Sequence, residues 1–351
     1  MPGTLPLLAI ALFVFRVAIS DRAAFQSVAD TINQKSKDKV VPWRAALNSN
    51  FDFSDAKIKS LIGKRTQKTK NLPKFKTFNA RAAEGSDDSS QTRRLLLNYP
   101  SSLDLRTKYP KCWSIGFIRD QAGCGSCWAV AAASTLSDRY CIRYSDRVFT
   151  RQKSFSYQDI LENCPNSICG QNGNGCNGGF ISGGFEYAKS VGIVTGENFG
   201  NFTNCKPYFL APDGFATTTP PLTVKCTPAN YTKSYLQDVR FISDYSIIGG
   251  VTPADVVVNT IISLNSGGSV LCYLDVYQDF FTYSSGVYVV AYGRFAGGHA
   301  VRVIGYGNEN GVDYWLFANS WGVNWGTKGF GKIKRGVNMS NIEAFCIEVY
   351  L

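Results

Sequence analysis

Cys127 has the surroundings of a reactive side chain. It lies in the segment QAGCGSCW at residues 121–128, and the stretch after it has helical apolar spacing without Pro or Gly. We therefore expect a buried helix from near Ser126 to about Arg143. The unpaired backbone N–H groups and the dipole at its N-terminus would favour thiolate over thiol, which predicts a nucleophilic cysteine.

A cysteine nucleophile needs a base, and the chain contains one histidine, His299. Gly297 and Gly298 precede it and allow another backbone to approach closely. The later motif NSWG begins at Asn319, whose amide can accept a hydrogen bond from the imidazole without adding a negative charge. We predict that His299 is the base, that Asn319 orients it, and that Trp321 shields their hydrogen bond.

Gln121 completes the predicted catalytic set. Its side-chain N–H₂ and the backbone N–H of Cys127 are suited to donate to the oxyanion of a tetrahedral intermediate. The four residues together predict acyl transfer: the Cys127 thiolate attacks a carbonyl carbon, and protonated His299 gives its proton to the leaving group. Water activated by neutral His299 then hydrolyses the thioester. This chemistry needs no metal or organic cofactor.

Export of the chain is predicted by residues 1–20, where an apolar run from Leu5 to Phe15 precedes Ala-Ile-Ser at 18–20. The destination would be the lysosome or the extracellular space. No later stretch approaches about 20 uninterrupted apolar residues, so we expect no membrane span. Asn-x-Ser/Thr acceptors for glycosylation fit this route. They are Asn201, Asn230 and Asn338.

All 11 cysteines lie at or after Cys112. In an exported protein this number indicates a disulfide framework, and an odd total leaves one thiol without an intramolecular partner. The net charge of +11 is concentrated elsewhere: residues 21–97 carry 16 Lys and Arg against 8 Asp and Glu, whereas the chain from residue 98 carries 20 against 18. Without a basic patch or a nucleic-acid module in that long part, nucleic acid is not expected as a partner.

The part before residue 98 changes character along its length. Residues 21–63 show helix-like spacing, with apolar positions at Phe25, Val28, Ile32, Trp43, Ile58, Leu61 and Ile62 and a stop at Gly63. Residues 80–92 are small, acidic and polar, which is typical of a flexible linker. The pair Arg93-Arg94 ends this linker and is a candidate processing site.

The second half of the chain is predicted to be mostly β. Asn310-Gly311 is a strong hairpin signal between two of its strand-like runs. The runs are residues 269–277, 286–291, 300–306, 314–318, 329–334 and 344–351.

These motifs resemble the papain superfamily of cysteine peptidases, whose local signature CGSCW occupies residues 124–128. The resemblance covers nearly the whole chain and is closest to the cathepsin B branch. It is carried by IRDQ at 118–121, CNGG at 176–179, CKPY at 205–208, residues 297–307, NSWG at 319–322, WRA at 43–45 and IKSLIG at 58–63. It implies an α+β, two-lobed fold, with a helical lobe carrying the nucleophile packed on a β-barrel-like lobe and the cleft between them.

The resemblance also implies a precursor. Residues 1–20 would be a signal peptide, 21–97 an inhibitory propeptide running backward through the cleft, and 98–351 the mature peptidase, which would start near Leu97. Gly178 and Gly179 would offer backbone hydrogen bonds to an extended substrate, and Trp321 would line the leaving-group side. The implied partners are protein or peptide substrates, the chain's own propeptide and cystatin-like inhibitors.

Four disulfides are carried over from the resemblance. They are Cys112 with Cys141, Cys124 with Cys176, Cys164 with Cys169, and Cys205 with Cys226. Cys272 and Cys346 remain, both in predicted strands, and their separation is not set by the sequence. If they pair, Cys127 is the odd thiol.

The segment between Cys205 and Cys226 departs from cathepsin B. In that branch, two histidines of an occluding loop hold the carboxylate at a substrate's C-terminus, whereas residues 209–224 contain none. The cations nearest to this loop are Lys206 and Lys225 at its ends. We therefore expect mainly endopeptidase activity, with weak removal of C-terminal dipeptides.

A second departure concerns the pocket for the substrate residue two before the cut. Cathepsin B has a glutamate there that accepts arginine, and the matching position is Phe345. This predicts a preference for apolar side chains. A slip of two residues in the alignment would instead bring Glu343 into the pocket.

Functions of other classes account for fewer of these residues. Cys124 and Cys127 form a C-x-x-C, as in thiol oxidoreductases, but no small βαβ unit is indicated, and a structural zinc lacks further ligands. A catalytically silent relative, of the tubulointerstitial nephritis antigen type, is the stronger alternative. Such proteins usually lose the nucleophile, and here the whole predicted catalytic set is present, which favours an enzyme.

Overall fold

The computed structural model describes residues 7–47, 55–62, 99–144, 153–170, 174–250 and 252–351. The linker at 80–92, Arg93-Arg94 and Leu97 lie outside these ranges, as do the side chains of the predicted signal peptide. Among the described residues, no helix combines the length and the apolar character needed to cross a membrane.

The described residues form helices and strands with the following bounds, in chain order. The helices are α1 Leu7–Lys37, α2 Asp55–Leu61, α3 Leu105–Lys108, α4 Trp113–Gly116, α5 Cys127–Tyr144, α6 Tyr157–Asn163, α7 Asn166–Cys169, α8 Gly183–Ser190, α9 Tyr235–Asp238 and α10 Pro253–Ser266. The strands are β1 Trp43–Ala45, β2 Leu103–Asp104, β3 Asp244–Ile248, β4 Val270–Tyr277, β5 Tyr283–Tyr288, β6 Phe295–Glu309, β7 Val312–Ala318, β8 Phe330–Lys334 and β9 Cys346–Tyr350.

The strands form an open sheet, which is the β lobe of the expected α+β architecture. Within the described ranges, the strand order is β1-β5-β8-β7-β6-β4-β9-β3, and β2 pairs with β6. Neighbours are antiparallel except β5 and β8, which are parallel. The long central strand β6 carries His299, and both of its neighbours, β4 and β7, hydrogen-bond to it. At the histidine itself the partner strand is β4, where Leu274 lies opposite His299, whereas β7 pairs with β6 from Arg302 onward.

The strand predictions for the second half are largely confirmed. Asn310 and Gly311 form the two-residue turn between β6 and β7, and both have positive φ angles, of 52° and 84°, as the predicted hairpin turn requires. The run predicted at 286–291 is shifted: β5 begins at Tyr283 and ends at Tyr288. Beyond its end, the Asp279 carboxylate accepts the backbone N–H groups of residues 291 and 292, so these groups are satisfied outside the sheet.

Trp43 lies in a strand, so the helix-like interpretation of its position was wrong. It opens β1, which pairs antiparallel with β5. Its indole is buried against the rings of Tyr283 and Tyr288, and its Nε1 donates to the Val289 carbonyl at 2.9 Å. Tertiary packing on the sheet therefore overrides the local spacing at this position.

Helix α5 is the axis of the helical lobe, and almost all of its residues are buried. One side packs on α6 and α8, and another faces β6. On the sheet side, the Asp138 carboxylate binds the Arg302 guanidinium of β6 at 2.8 Å, and both side chains are buried. Ser114 and Ser269 donate to the same carboxylate at 2.8 Å each. This buried pair joins the helix that begins at Cys127 to the strand that carries His299.

Five disulfides stabilise the region after residue 99. They are Cys112–Cys141, Cys124–Cys176, Cys164–Cys169, Cys205–Cys226 and Cys272–Cys346. The last joins directly paired residues of β4 and β9. Cys127 is the free cysteine that remains.

We predict that Asp138→Asn strongly destabilises the protein. The change removes the charge that compensates buried Arg302, and breaking such a pair costs about 3–5 kcal/mol. The matched control is Asp244→Asn, which removes one charge from the exposed Lys189–Asp244 pair and should cost far less, because solvent screens exposed ion pairs. Urea unfolding of the full chain followed by tryptophan fluorescence measures both, and equal losses would contradict the role assigned to Asp138.

Candidate active site

Cys127 is the first residue of α5, as predicted. Its side chain is only 4% exposed. The backbone N–H groups of Ala300, Trp128 and Cys127 itself interact with the sulfur. Because Ala300 directly follows His299 on β6, the thiol lies against the strand that carries the predicted base.

His299 is held by Asn319. Its Nε2 is 2.7 Å from the Asn319 Oδ1, which also accepts the Ser320 backbone N–H at 2.7 Å. Because the amide oxygen can only accept, Nε2 must carry a proton. The other ring nitrogen, Nδ1, is buried without a hydrogen-bond partner among the described residues. In the neutral ring this nitrogen is the unprotonated one, which can accept a proton.

Trp321 covers the His299–Asn319 pair, as expected from the sequence. The centroid of the indole lies 4.8 Å from that of the imidazole, and Phe281 stacks on the indole at 5.2 Å. Both Trp321 and His299 are almost fully buried. The hydrogen bond between the histidine and the asparagine is thus kept away from bulk water.

Gln121 is fixed by hydrogen bonds at both ends of its amide. Its Oε1 accepts from the Ser320 hydroxyl at 2.7 Å, and its Nε2 donates to the Cys124 carbonyl at 2.9 Å. The same Nε2 donates to the carbonyl of Leu61 at 3.2 Å. A carbonyl from the N-terminal part of the chain therefore lies where Gln121 is expected to meet the carbonyl of a substrate.

Comparison with known families agrees with this geometry. Residues 99–349 match the family described as papain family cysteine protease. The chain belongs to this family. The curated relatives include Cathepsin B-like cysteine proteinase 4 of Caenorhabditis elegans, which is 40% identical over 262 residues and matches 70% of this chain and 73% of the relative. The Gut-specific cysteine proteinase of the same organism is 38% identical over 284 residues, with 79% and 82% covered.

Solved structures show the same relationship for the precursor form. The proCathepsin B S9 from Trypanosoma congolense superposes with a TM-score of 0.70 at 30% identity, covering 92% of this chain and 97% of that chain. Digestive procathepsin L 3 of Tenebrio molitor larval midgut has a TM-score of 0.64 at 19% identity over 100% and 95% of the two chains, which supports the fold alone. This chain is thus a papain-family cysteine protease of the cathepsin B-like group.

The N-terminal segment, residues 22–47 and 57–62 as far as side chains are described, covers the active site of this papain-family protease. Leu61 is fully buried beside Gln121, and the side chain of Ile62 packs on Gly297. Further away, Lys35 donates to the Ala291 carbonyl at 2.8 Å, and Phe25 contacts Phe281 edge to face. The segment is therefore anchored at several points on the β lobe.

This cover changes the electrostatics of the pair. Burial raises the pKa of Cys127 to about 11, although neighbouring backbone N–H groups oppose the change. Burial also lowers the pKa of His299 to about 4, against the effect of its bond to Asn319. Both shifts favour the uncharged thiol and imidazole over the ion pair.

The predicted substrate-binding glycines lie beside the nucleophile. Gly178 has a φ of 100°, which favours glycine, and the 3₁₀ turn before it carries Cys176, which is bridged to Cys124. A Cβ on Gly179 would lie 2.6 Å from the Trp128 ring. A side chain at either position would thus be strained or would clash.

Phe345 and Glu343 occupy different environments. Phe345 is buried in the apolar cluster between the lobes, together with Tyr273 and Ala300. The Glu343 carboxylate instead accepts the Trp315 Nε1 at 2.9 Å and the backbone N–H groups of residues 336 and 338. The glutamate is therefore bound to a turn of the β lobe.

The side chains of two of the three predicted glycosylation acceptors are engaged in hydrogen bonds within the protein. Asn201 Nδ2 donates to the Glu197 carboxylate, and Asn338 Oδ1 accepts the Glu343 backbone N–H at 3.0 Å. Asn230 is exposed. Among the described residues, no group of three or more His, Cys, Asp or Glu side chains is arranged to hold a metal ion.

Sequence reasoning missed Ser320 and misplaced Lys206. Ser320 links Gln121 to Asn319, and its position inside the NSWG motif was the available signal. Lys206 was considered a cation near the loop, but it is fully buried and binds Glu162 at 2.6 Å. It also holds the Thr223 hydroxyl at 3.0 Å, so it fixes the base of the loop.

We predict a large difference in Cys127 reactivity between the precursor and the processed protein. In the precursor the raised thiol pKa keeps the sulfur protonated at neutral pH, so alkylation by iodoacetamide should be slow and should accelerate only as the pH approaches 11. Removal of the N-terminal segment admits water, and the thiolate should then be present from about pH 5 upward. Mass spectrometry of the free cysteine measures the rates, and equally fast labelling of both forms at pH 5 would contradict this.

Proposed function

We propose that the chain is the precursor of a cathepsin B-like endopeptidase with Cys127 as nucleophile and His299 as base. The observation that carries the proposal is the hydrogen bond from Gln121 Nε2 to the Leu61 carbonyl beside the buried thiol. A peptide carbonyl already lies within reach of the expected oxyanion donor. A substrate carbonyl at this place would be close to Cys127 and His299.

The proposed mechanism follows from the hydrogen bonds of the site. Once water reaches the pair, the proton of Cys127 passes to His299 Nδ1, and Asn319 stabilises the imidazolium by accepting from Nε2. The thiolate attacks the peptide carbonyl, whose oxygen is stabilised by Gln121 and the Cys127 backbone N–H. The imidazolium protonates the leaving amine, and water then hydrolyses the thioester.

The N-terminal segment would act as the inhibitory propeptide. We place the signal peptide at 1–20, the propeptide at 21–97 and the mature enzyme at 98–351. The strand pairing of β1 with β5 and the burial of Leu61 beside Gln121 support this division. We propose that the enzyme enters the secretory pathway and acts in the lysosome or outside the cell, where cystatin-like inhibitors would compete for the opened cleft.

The loop between Cys205 and Cys226 supports endopeptidase activity. It offers no histidine, and the ammonium of Lys206 is bound to Glu162 and inaccessible to a substrate. A free C-terminal carboxylate would therefore find no buried cation there. We propose that removal of C-terminal dipeptides is weak.

Active-site labelling tests the enzyme itself. The precursor is processed at acid pH with a reductant, treated with an epoxysuccinyl inhibitor and digested for mass spectrometry. We expect stoichiometric label on Cys127, loss of cleavage of an internally quenched peptide, and little dipeptide release before or after labelling. Cys127→Ser is the unlabelled control.

The alternative outcomes are distinct. Correctly folded protein without its propeptide that takes no label would favour a silent binding module. Efficient release of C-terminal dipeptides that the inhibitor abolishes would support the assignment as a cysteine peptidase. It would reject the assignment as mainly an endopeptidase.

Substrate preference two residues before the cut tests Phe345. Its apolar surroundings with Tyr273 and Ala300 favour leucine over arginine at that position. In Phe345→Glu a carboxylate would pair with the guanidinium of the arginine peptide. The ratio of kcat/KM for arginine over leucine should then rise by roughly tenfold or more, and a tenfold change corresponds to about 1.4 kcal/mol. Phe345→Leu is the control and should keep the leucine preference. A wild-type preference for arginine would reject the assignment.

A further inference from the structure

A cavity of about 400 Å³ lies next to the active site, on the Trp321 side. The N-terminal segment and the mature region both contribute to it. Its lining includes Lys57, Leu61, Asp120, Asp213, Trp321 and Gly322. Because Trp321 is expected to line the leaving-group side, the cavity is positioned to receive substrate residues that follow the cut.

Asp120 presents its carboxylate to this cavity. Its Oδ1 accepts the Ala122 backbone N–H at 2.8 Å, which fixes the side chain. Its Oδ2 points to Gly322, where an added Cβ would lie only 2.6 Å away. Gly322 also has a positive φ of 72°, so glycine is favoured there. No side chain at residue 322 therefore separates the carboxylate from the cavity.

Asp213 is brought to the same cavity by a docked loop. The backbone N–H of Gly123 donates to the Gly214 carbonyl at 2.8 Å, and the Ala216 N–H donates back to the Gly123 carbonyl at 3.1 Å. These bonds attach the loop directly to the segment between Gln121 and Cys127. The exposed carboxylate of Asp213 is thereby held beside the cleft.

The N-terminal segment places a cation in this acidic cavity. Lys57 lies in α2, one helical turn before Leu61, whose carbonyl meets Gln121. Its ammonium donates to the Pro212 carbonyl at 3.4 Å. Burial raises the pKa of Asp120, and the positive charge of Lys57 opposes this rise. The N-terminal segment thus contributes a positively charged side chain to the lining of the cavity.

We propose that this cavity is a subsite for a lysine or arginine side chain located one or two residues after the cut, and that Lys57 presents its cation to it in the precursor. The proposal deepens the proposed function and depends on it. Two carboxylates attract a cationic side chain and repel a free C-terminal carboxylate, so the subsite also favours cleavage within a chain over dipeptide removal.

The test compares matched peptides on the processed enzyme. All of the internally quenched peptides have leucine two residues before the cut. They differ in having lysine or norleucine at the first or the second position after the cut, and mass spectrometry confirms which bond is cleaved. At low ionic strength we expect kcat/KM to be about fivefold higher for lysine at one of these positions, as partly exposed charge pairs allow. About 0.5 M salt should reduce this preference.

Variants assign the preference to the carboxylates. Asp213→Asn should lower the lysine preference, and Asp120→Asn with Asp213→Asn should abolish it, because both carboxylates are then lost. Asparagine at 120 can still accept the Ala122 N–H, so the local geometry is kept. Asp244→Asn removes one remote exposed charge and should leave the preference intact. Cleavage of the norleucine peptides by the double variant shows that it is folded.

Two results would overturn the inference: equal rates for lysine and norleucine at both positions in the wild type, or an unchanged lysine preference in the double variant. In either case, cleavage of the norleucine peptides keeps the proposed function. Failure of the wild type to cleave any of these peptides would reject the proposed function, and the subsite with it.

Discussion

The buried ion pair between Asp138 and Arg302 sets the relation between the two halves of the active site. Cys127 and His299 come from different lobes, and their relative position depends on how α5 packs on β6. Two charges are buried at this interface, and the carboxylate is satisfied by two serine hydroxyls as well as by the guanidinium. Because an unpaired buried charge is costly, a displaced helix would lose far more than packing. The pair thus favours one register of helix against strand.

The N-terminal segment affects both the space and the chemistry of the site. It supplies a carbonyl to Gln121, an apolar side chain to Gly297 and a strand to the edge of the sheet. The same contacts exclude water, and the loss of water makes the charged pair unfavourable. In the proposed precursor, inhibition would therefore rest on two effects. The segment blocks the site, and it also favours the protonated thiol of Cys127.

Much of the site could be predicted because its residues are encoded locally. The start of α5 at Cys127, the turn at Asn310-Gly311 and the role of NSWG in placing Asn319 all follow from short motifs with a defined geometry. The position of Trp43 could not be predicted, because its strand exists only where β5 offers an edge. Two partners of Asp138, Arg302 and Ser269, are likewise more than a hundred residues away, and a sequence pattern contains no information on such distant contacts.

The pairing of β1 with β5 has a consequence for storage of the protein. In the precursor, the backbone of Gly286 is covered by Trp43, and the Pro42 carbonyl accepts the Val287 N–H at 2.9 Å. Departure of the segment would leave β5 as an edge strand with unpaired backbone N–H and C=O groups, and such edge strands promote self-association. The precursor should accordingly remain monodisperse at concentrations where the processed enzyme begins to aggregate.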